Sequence, residues 1–130
     1  MSEPNWLPPQ AVVSIHAELA AEHGGLSGLP WEEGMRAALG RPGHVLAIRG
    51  PPLSLAHLAA AYGFSVVRNR CFPDGNEGVA LAAVDVFLQL NGSELTATEA
   101  EAAETLLALA TGEVTEEGLA DWIAAHSAQQ

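Results

Sequence analysis

The chain has 130 residues, 48% of them hydrophobic, and carries 16 acidic against 5 basic side chains, for a formal net charge of −11. This length predicts a single domain, residues 1–130, and its many Ala and Leu residues favour closely packed helices. An acidic surface repels phosphate backbones and anionic lipid, so nucleic acid and membranes are poor partners. The charge is interpreted as a source of solubility, or more sharply as a site for a basic protein partner.

The single cysteine and the first residues of the chain indicate the cellular compartment of the protein. Cys71 is the only cysteine, so it cannot form an internal disulfide, which fits a reducing cytosol. The chain starts with Glu3, Trp6 and prolines instead of a basic segment and an apolar run, so no signal peptide is expected. No stretch approaches the ~20 apolar residues of a membrane helix. We therefore expect a cytoplasmic protein.

The first predicted helix follows two prolines, which a first helical turn tolerates. Val12, Ile15 and Leu19 are spaced for one helix face. Gly24-Gly25 is expected to end this helix, because glycine adopts the left-handed conformation without steric cost. Residues 26–30 are predicted to form a loop.

Helix signals and breakers alternate in the next part of the chain. A short helix is predicted from Pro30 to Leu39. Residues 40–53 are rich in Gly and Pro and are predicted to form a loop or a short β-hairpin flap around residues 45–48. Ser54 is a suitable N-cap for a third helix. The apolar positions of that helix are Leu55, Leu58, Ala59 and Tyr62.

A long helix should dominate the second half of the chain. It is predicted to begin near Gly75 or Asn76 and to run to about Leu90, and Gly92 should terminate it. Its apolar residues recur nearly all round, which indicates a buried central helix. They are Val79, Ala83, Val86, Phe87 and Leu90.

Two shorter helices are predicted after it. Thr98 and Glu101 have the spacing of a capping box, and the helix that they open should end at Gly112. Thr115 is a suitable cap for the last helix. The elements together predict a small all-α bundle around a central helix, with residues 40–53 supplying any β-hairpin.

The residues around the start of the central helix carry the functional signal. Residues 70–78 read Arg-Cys-Phe-Pro-Asp-Gly-Asn-Glu-Gly, and residues 87–92 read Phe-Leu-Gln-Leu-Asn-Gly. These segments resemble the Fic/Doc family signature, His-x-Phe-x-Asp/Asn-Gly/Ala-Asn-Lys/Gly-Arg followed by Phe-Leu-x-x-Asn-Gly. The resemblance runs from about Trp6 to Ala125 and points to the death-on-curing (Doc) branch. The scaffold positions present are Phe72, Asp74, Gly75, Asn76, Phe87, Leu88, Asn91 and Gly92.

The resemblance implies a transfer reaction and its partners. Fic/Doc proteins move a nucleotidyl or phosphoryl group from a nucleoside triphosphate to a protein hydroxyl, and Doc toxins are paired with a Phd antitoxin. By this resemblance Asp74 would hold Mg²⁺, and the turn Gly75-Asn76-Glu77-Gly78 would cradle the phosphates of ATP. The implied partners are a Phd-like antitoxin or a target protein such as elongation factor Tu.

The chemical positions of the signature differ in this chain. Arg70 stands where the family has its base histidine, and arginine stays protonated, so it cannot accept the hydroxyl proton. Loss of a positioned base typically lowers the rate ~10²–10⁴-fold. Arg70 is either a surface residue in a decayed site or a phosphate contact. Catalysis by Cys71 would need a partnered base, and none is in view.

Glu77 and Gly78 replace the usual Lys and Arg of the signature. A carboxylate about 4 Å from a phosphate charge costs roughly 4 kcal/mol at an effective dielectric constant near 20. Asp74 and Glu77 could instead share one cation, or Glu77 could simply compensate the helix N-terminus. Two functions therefore remain open: a Doc-like pseudoenzyme that binds protein, and an active transferase with another base. A deliberately inactivated variant is disfavoured, because these are not minimal substitutions.

Overall fold

The computed structural model describes residues 3–25, 28–50 and 53–130. The predicted loop residues Leu26 and Ser27, and Pro51 and Pro52, lie outside these ranges. The predicted all-α bundle is confirmed, because helices account for nearly all the regular structure. In chain order the elements are α1 (Pro9–His23), α2 (Glu32–Arg49), α3 (Leu55–Arg68), α4 (Asn76–Leu90), β1 (Ser93–Leu95), α5 (Glu99–Thr111), α6 (Glu116–Ala125) and β2 (Ser127–Gln129).

Helix α4 occupies the centre of the bundle, as its apolar residues predicted. It packs against α1, α3 and α5, and α3 in turn packs against α2 and α6. Phe87 is fully buried, with its ring centroid 5.0 Å from that of Tyr62 and 6.3 Å from that of Trp6. Burial of one such side chain contributes roughly 1.5–3 kcal/mol. None of the helices in the described part of the chain is long and apolar enough to cross a membrane.

The predicted flap at residues 40–53 is wrong, because α2 continues through this segment to Arg49. Pro42 lies inside the helix and is fully buried, although proline there removes one backbone hydrogen bond. Tertiary packing offsets that loss. The helix packs along α3, and the guanidinium of Arg41 donates two hydrogen bonds to the Glu116 carboxylate on α6.

The predicted N-caps are confirmed at three helices. The Ser54 hydroxyl accepts a hydrogen bond from the His57 N–H at 3.2 Å, and Thr115 accepts one from the Gly118 N–H at 3.0 Å. At α5 the capping box is complete: Thr98 Oγ1 accepts from the Glu101 N–H, and the Glu101 carboxylate accepts from the Thr98 N–H. Each cap is worth about 1 kcal/mol.

A two-stranded sheet, which the sequence analysis did not predict, joins distant parts of the chain. Strands β1 and β2 pair antiparallel, with Ser93 opposite Gln129. The N-terminal segment reaches the same end of α4, where the Asn91 amide bonds both the N–H and the C=O of Asn5, at 2.8 and 3.0 Å. Asn91 therefore has a structural role in this fold.

Candidate functional site

The motif loop, residues 69–75, leads from the end of α3 to the start of α4. It forms one wall of a pocket of about 420 Å³, which we call the motif pocket. The structure brings together there all but one of the site residues predicted from the sequence. They are Arg70, Asp74, Gly75, Asn76 and Glu77. Gly78 lies in a neighbouring pocket of about 180 Å³, which is also lined by Asp74 and His16.

The side chain of Asn76 holds the motif loop closed. Its Oδ1 accepts a hydrogen bond from the Phe72 N–H at 3.0 Å, and its Nδ2 donates to the Phe72 carbonyl at 2.9 Å. Phe72 is buried, and its ring stacks on that of His16 with centroids 4.1 Å apart. The amide of Asn76 is thus used within the loop, and the buried Phe72 anchors that loop to α1.

Arg70 adopts an unusual backbone conformation at the position of the expected base. Its φ is 45°, and it is the only non-glycine residue with positive φ in the described ranges. Such a conformation costs roughly 1–2 kcal/mol for a residue with a Cβ. The residue is exposed at the rim of the motif pocket, and its guanidinium forms no ion pair with any described carboxylate. A permanent cation therefore stands at the rim of the motif pocket.

The carboxylate of Asp74 lies between the loop and the turn after α1. Its Oδ1 accepts a hydrogen bond from the Gly75 N–H at 2.9 Å. Its Oδ2 would lie only 3.0 Å from a Cβ at Gly25, whose φ is +98°. A glycine is thus required at position 25 by both its conformation and this close approach, a role that the sequence analysis did not assign.

The first turn of α4 presents its free backbone N–H groups next to the motif pocket. The N–H groups of Asn76, Glu77 and Gly78 precede the first helical bond, which the Val79 N–H donates to Gly75 at 3.1 Å. The helix dipole adds positive potential there, and the exposed Glu77 carboxylate opposes it. Among the described residues no group of three or more His, Cys, Asp or Glu side chains could hold a metal ion. A cation held by Asp74 would take its remaining ligands from water or from phosphate oxygens.

Cys71 is built into the core beneath the motif pocket. Its side chain is fully buried, and this burial raises the pKa of the thiol to about 11. Its carbonyl accepts a hydrogen bond from the Trp31 N–H at 2.7 Å, which fixes the segment before α2 against the loop. A buried thiol with a raised pKa is a poor nucleophile.

Comparison with known proteins matches most of this architecture to one family. The profile of the Fic/DOC family matches residues 6–88, which include α1 to α4 up to Leu88 and the whole motif loop. A search of curated proteins found no match to the chain.

Proposed function

We propose that this chain, which belongs to the Fic/Doc family, is a catalytically impaired member that acts by binding a protein partner. The proposal includes a Doc-like role beside an antitoxin. It does not require nucleotide turnover. ATP and Mg²⁺ would be ligands of the alternative function, an active transferase.

One observation carries the proposal: the motif loop is fully built, but Arg70, which the resemblance aligns with the signature histidine, cannot accept a proton. Asn76 and Phe72 maintain the loop through two hydrogen bonds and a buried ring. Arg70 is exposed beside it and stays protonated at physiological pH. The Glu77 carboxylate adds repulsion toward a triphosphate at the helix N-terminus. The scaffold therefore supports binding better than chemistry.

The surface next to the loop favours a protein as the binding partner. Leu29 is 87% exposed and Trp31 is 56% exposed, and both precede α2 at the side of the motif loop. An exposed tryptophan is typical of protein contact sites, and the neighbouring leucine extends the apolar surface beside it. The net charge of −11 favours a partner with basic side chains. An antitoxin segment or a former target protein would fit this description.

Label transfer is the direct test. The purified chain is incubated with ATP labelled at the α- or γ-phosphate, Mg²⁺ and a cell extract, and no labelled protein is expected above background. The matched control is Asp74→Asn, which keeps the carbonyl oxygen that accepts from the Gly75 N–H but removes the charge that would hold Mg²⁺. Transfer that is robust in the wild type and lost in this variant would contradict the proposal and establish the transferase.

Restoring the signature tests whether the scaffold is otherwise competent. The triple variant Arg70→His, Glu77→Lys, Gly78→Arg supplies a base and two cations. A side chain at position 78 is sterically acceptable, because its Cβ would lie 3.4 Å from Leu19 Cδ1. We expect this variant to gain label transfer or to arrest bacterial growth when expressed. No gain in a folded variant would place the loss outside these three positions.

A further inference from the structure

We infer a second ligand site in the groove between α2 and α3, which binds a phosphate monoester or a similar tetrahedral oxyanion. The groove has a volume of about 680 Å³. It is lined by Arg36, Ala37, Gly40, Arg41, His44, Phe64, Ser65, Arg68 and Asn69. Arg68 also lines the motif pocket, but Arg36 and Ser65 line this groove and not that pocket, and the inferred site does not depend on the proposed function.

The lining of the groove is positively charged, in contrast to the chain as a whole. The chain has 5 basic residues, all of them arginine, and three of these line this groove, while no acidic residue lines it. The protein has a net charge of −11, so the charge of this groove is opposite in sign to that of the whole chain. The Glu116 carboxylate offsets the charge of Arg41. Carboxylates farther away than about 8 Å are screened at physiological salt, so Arg36 and Arg68 supply the positive potential of the groove.

Two of the three arginines in the groove are available to bind an anion. Arg41 is committed to the Glu116 carboxylate. Arg36 and Arg68 form no ion pair with any carboxylate in the described ranges. Planar guanidinium groups bind phosphate oxygens with two parallel hydrogen bonds, which makes arginine the preferred residue for such ligands.

The Phe64 ring holds two of the arginine side chains in place in the groove. The guanidinium carbon of Arg68 lies 5.7 Å from the centroid of the Phe64 ring, and that of Arg41 lies 5.2 Å from it. Cation–π attraction restricts both side chains before any ligand binds. Less conformational entropy is then lost on binding.

The hydroxyl of Ser65, at the groove, has no hydrogen-bond partner among the described residues. Ser65 is 1% exposed, and its Oγ is the one buried side-chain polar atom without a hydrogen-bond partner among the described residues. Buried hydroxyl groups are almost always hydrogen-bonded, and an exception calls for a missing ligand or water. Ser65 lines the groove beside Arg68, and rotation about its χ1 angle would bring the buried Oγ to an oxyanion that supplies the acceptor.

The experiment is calorimetric titration of the folded chain with inorganic phosphate, O-phosphoserine and AMP, at constant ionic strength set with chloride. Wild type should bind at least one of the three. Arg36→Gln and Arg68→Gln should each weaken binding about tenfold or more, because each removes a charge-assisted hydrogen bond. Ser65→Ala should weaken it about threefold to tenfold. Tighter binding of O-phosphoserine or of AMP than of phosphate identifies the source of the phosphate group.

Two variants of equal charge change serve as controls. Arg49→Gln lies outside the groove and should bind like wild type. Arg70→Gln lies in the motif pocket and should do the same. The inference is overturned if none of the three ligands binds, if all four arginine variants weaken binding equally, or if Arg36→Gln has no effect. Loss confined to Arg68→Gln and Arg70→Gln would place the ligand in the motif pocket and also overturn it.

Discussion

The amide of Asn76 satisfies both backbone groups of Phe72, four residues earlier in the chain. This contact closes the motif loop before α4 begins, and it uses both polar atoms of the side chain. The loop is therefore fastened to the start of α4 by this side chain.

Loss of this contact should destabilise the chain. Asn76→Ala removes two hydrogen bonds and leaves partly buried backbone groups unpaired, so the free energy of unfolding should fall by about 1–3 kcal/mol. Asn76→Asp keeps the acceptor and loses only the donor. Its free energy of unfolding should therefore lie between those of wild type and Asn76→Ala. Urea unfolding measures all three proteins. Equal stability of Asn76→Ala and wild type would show that the contact adds nothing.

Two glycines at the start of α4 should respond to alanine in opposite directions. Gly75 has a φ of 77°, so Gly75→Ala should destabilise the fold by about 1–2 kcal/mol. Gly78 lies inside the helix with room for a methyl group, so Gly78→Ala should stabilise it by about 0.5–1 kcal/mol. Thermal unfolding of the two variants tests the pair, and a shift of the same sign in both would contradict the geometry.

Helix α2 offers a second matched pair. A Cβ at Gly34 would lie 2.5 Å from Trp31 Cε3 and 3.1 Å from the Asn69 carbonyl oxygen. Gly34→Ala should therefore displace the Trp31 ring, change the tryptophan fluorescence and cost about 1–3 kcal/mol. Gly40→Ala meets nothing within 4 Å and should stabilise the helix by about 0.5–1 kcal/mol. An unchanged emission spectrum in Gly34→Ala would show that the ring is not held there.

The thiol of Cys71 should be inert in the folded protein. Burial raises its pKa to about 11, so at pH 8 only on the order of one molecule in a thousand carries a thiolate, and that thiolate is inaccessible. Alkylation by iodoacetamide, followed by mass spectrometry, should proceed only in denaturant. Rapid labelling of the native chain would contradict the prediction that this thiol is buried and unreactive.

The capping box of α5 should contribute a pH dependence of stability. Hydrogen bonds from the Thr98 backbone and hydroxyl hold the pKa of Glu101 below its ordinary value. A lowered pKa means that the ionised form stabilises the fold at neutral pH, and this stabilisation is lost as the pH falls through the lowered pKa. Glu101→Gln should thus be less stable than wild type at neutral pH, and the difference should shrink on acidification. A difference that stays constant with pH would show that ionisation is not involved.

Local signals in the sequence predicted most of the helices, because caps act within a few residues. Ser54, Thr98 and Thr115 each mark a helix start that the structure contains. The prediction of a helix break around Pro42 was wrong, because packing of α2 against α3 offsets the local cost of the proline, and no local pattern reveals that packing. The pairing of β1 with β2 joins segments more than thirty residues apart and has no local signal either.

The sequence indicated which residues belong to the candidate site, but not how their backbone and side chains are arranged. The motif pocket contains the residues that the signature indicated, except Gly78. The positive φ of Arg70 and the close approach of Asp74 to Gly25 depend on how the loop meets α1 and α3. The groove with Arg36, Arg41 and Arg68 was not found either, because these residues lie on two helices and form no sequence motif.

The fastening of residues 5 and 130 to one end of α4 has a practical consequence. Asn5 bonds Asn91, and the Gln130 N–H donates to the Gly92 carbonyl at 2.9 Å. The motif loop is at the opposite end of this helix of 15 residues, about 22 Å away at 1.5 Å per residue. Fluorophores or surface tethers attached near residue 5 or 130 should therefore leave the loop open to a partner.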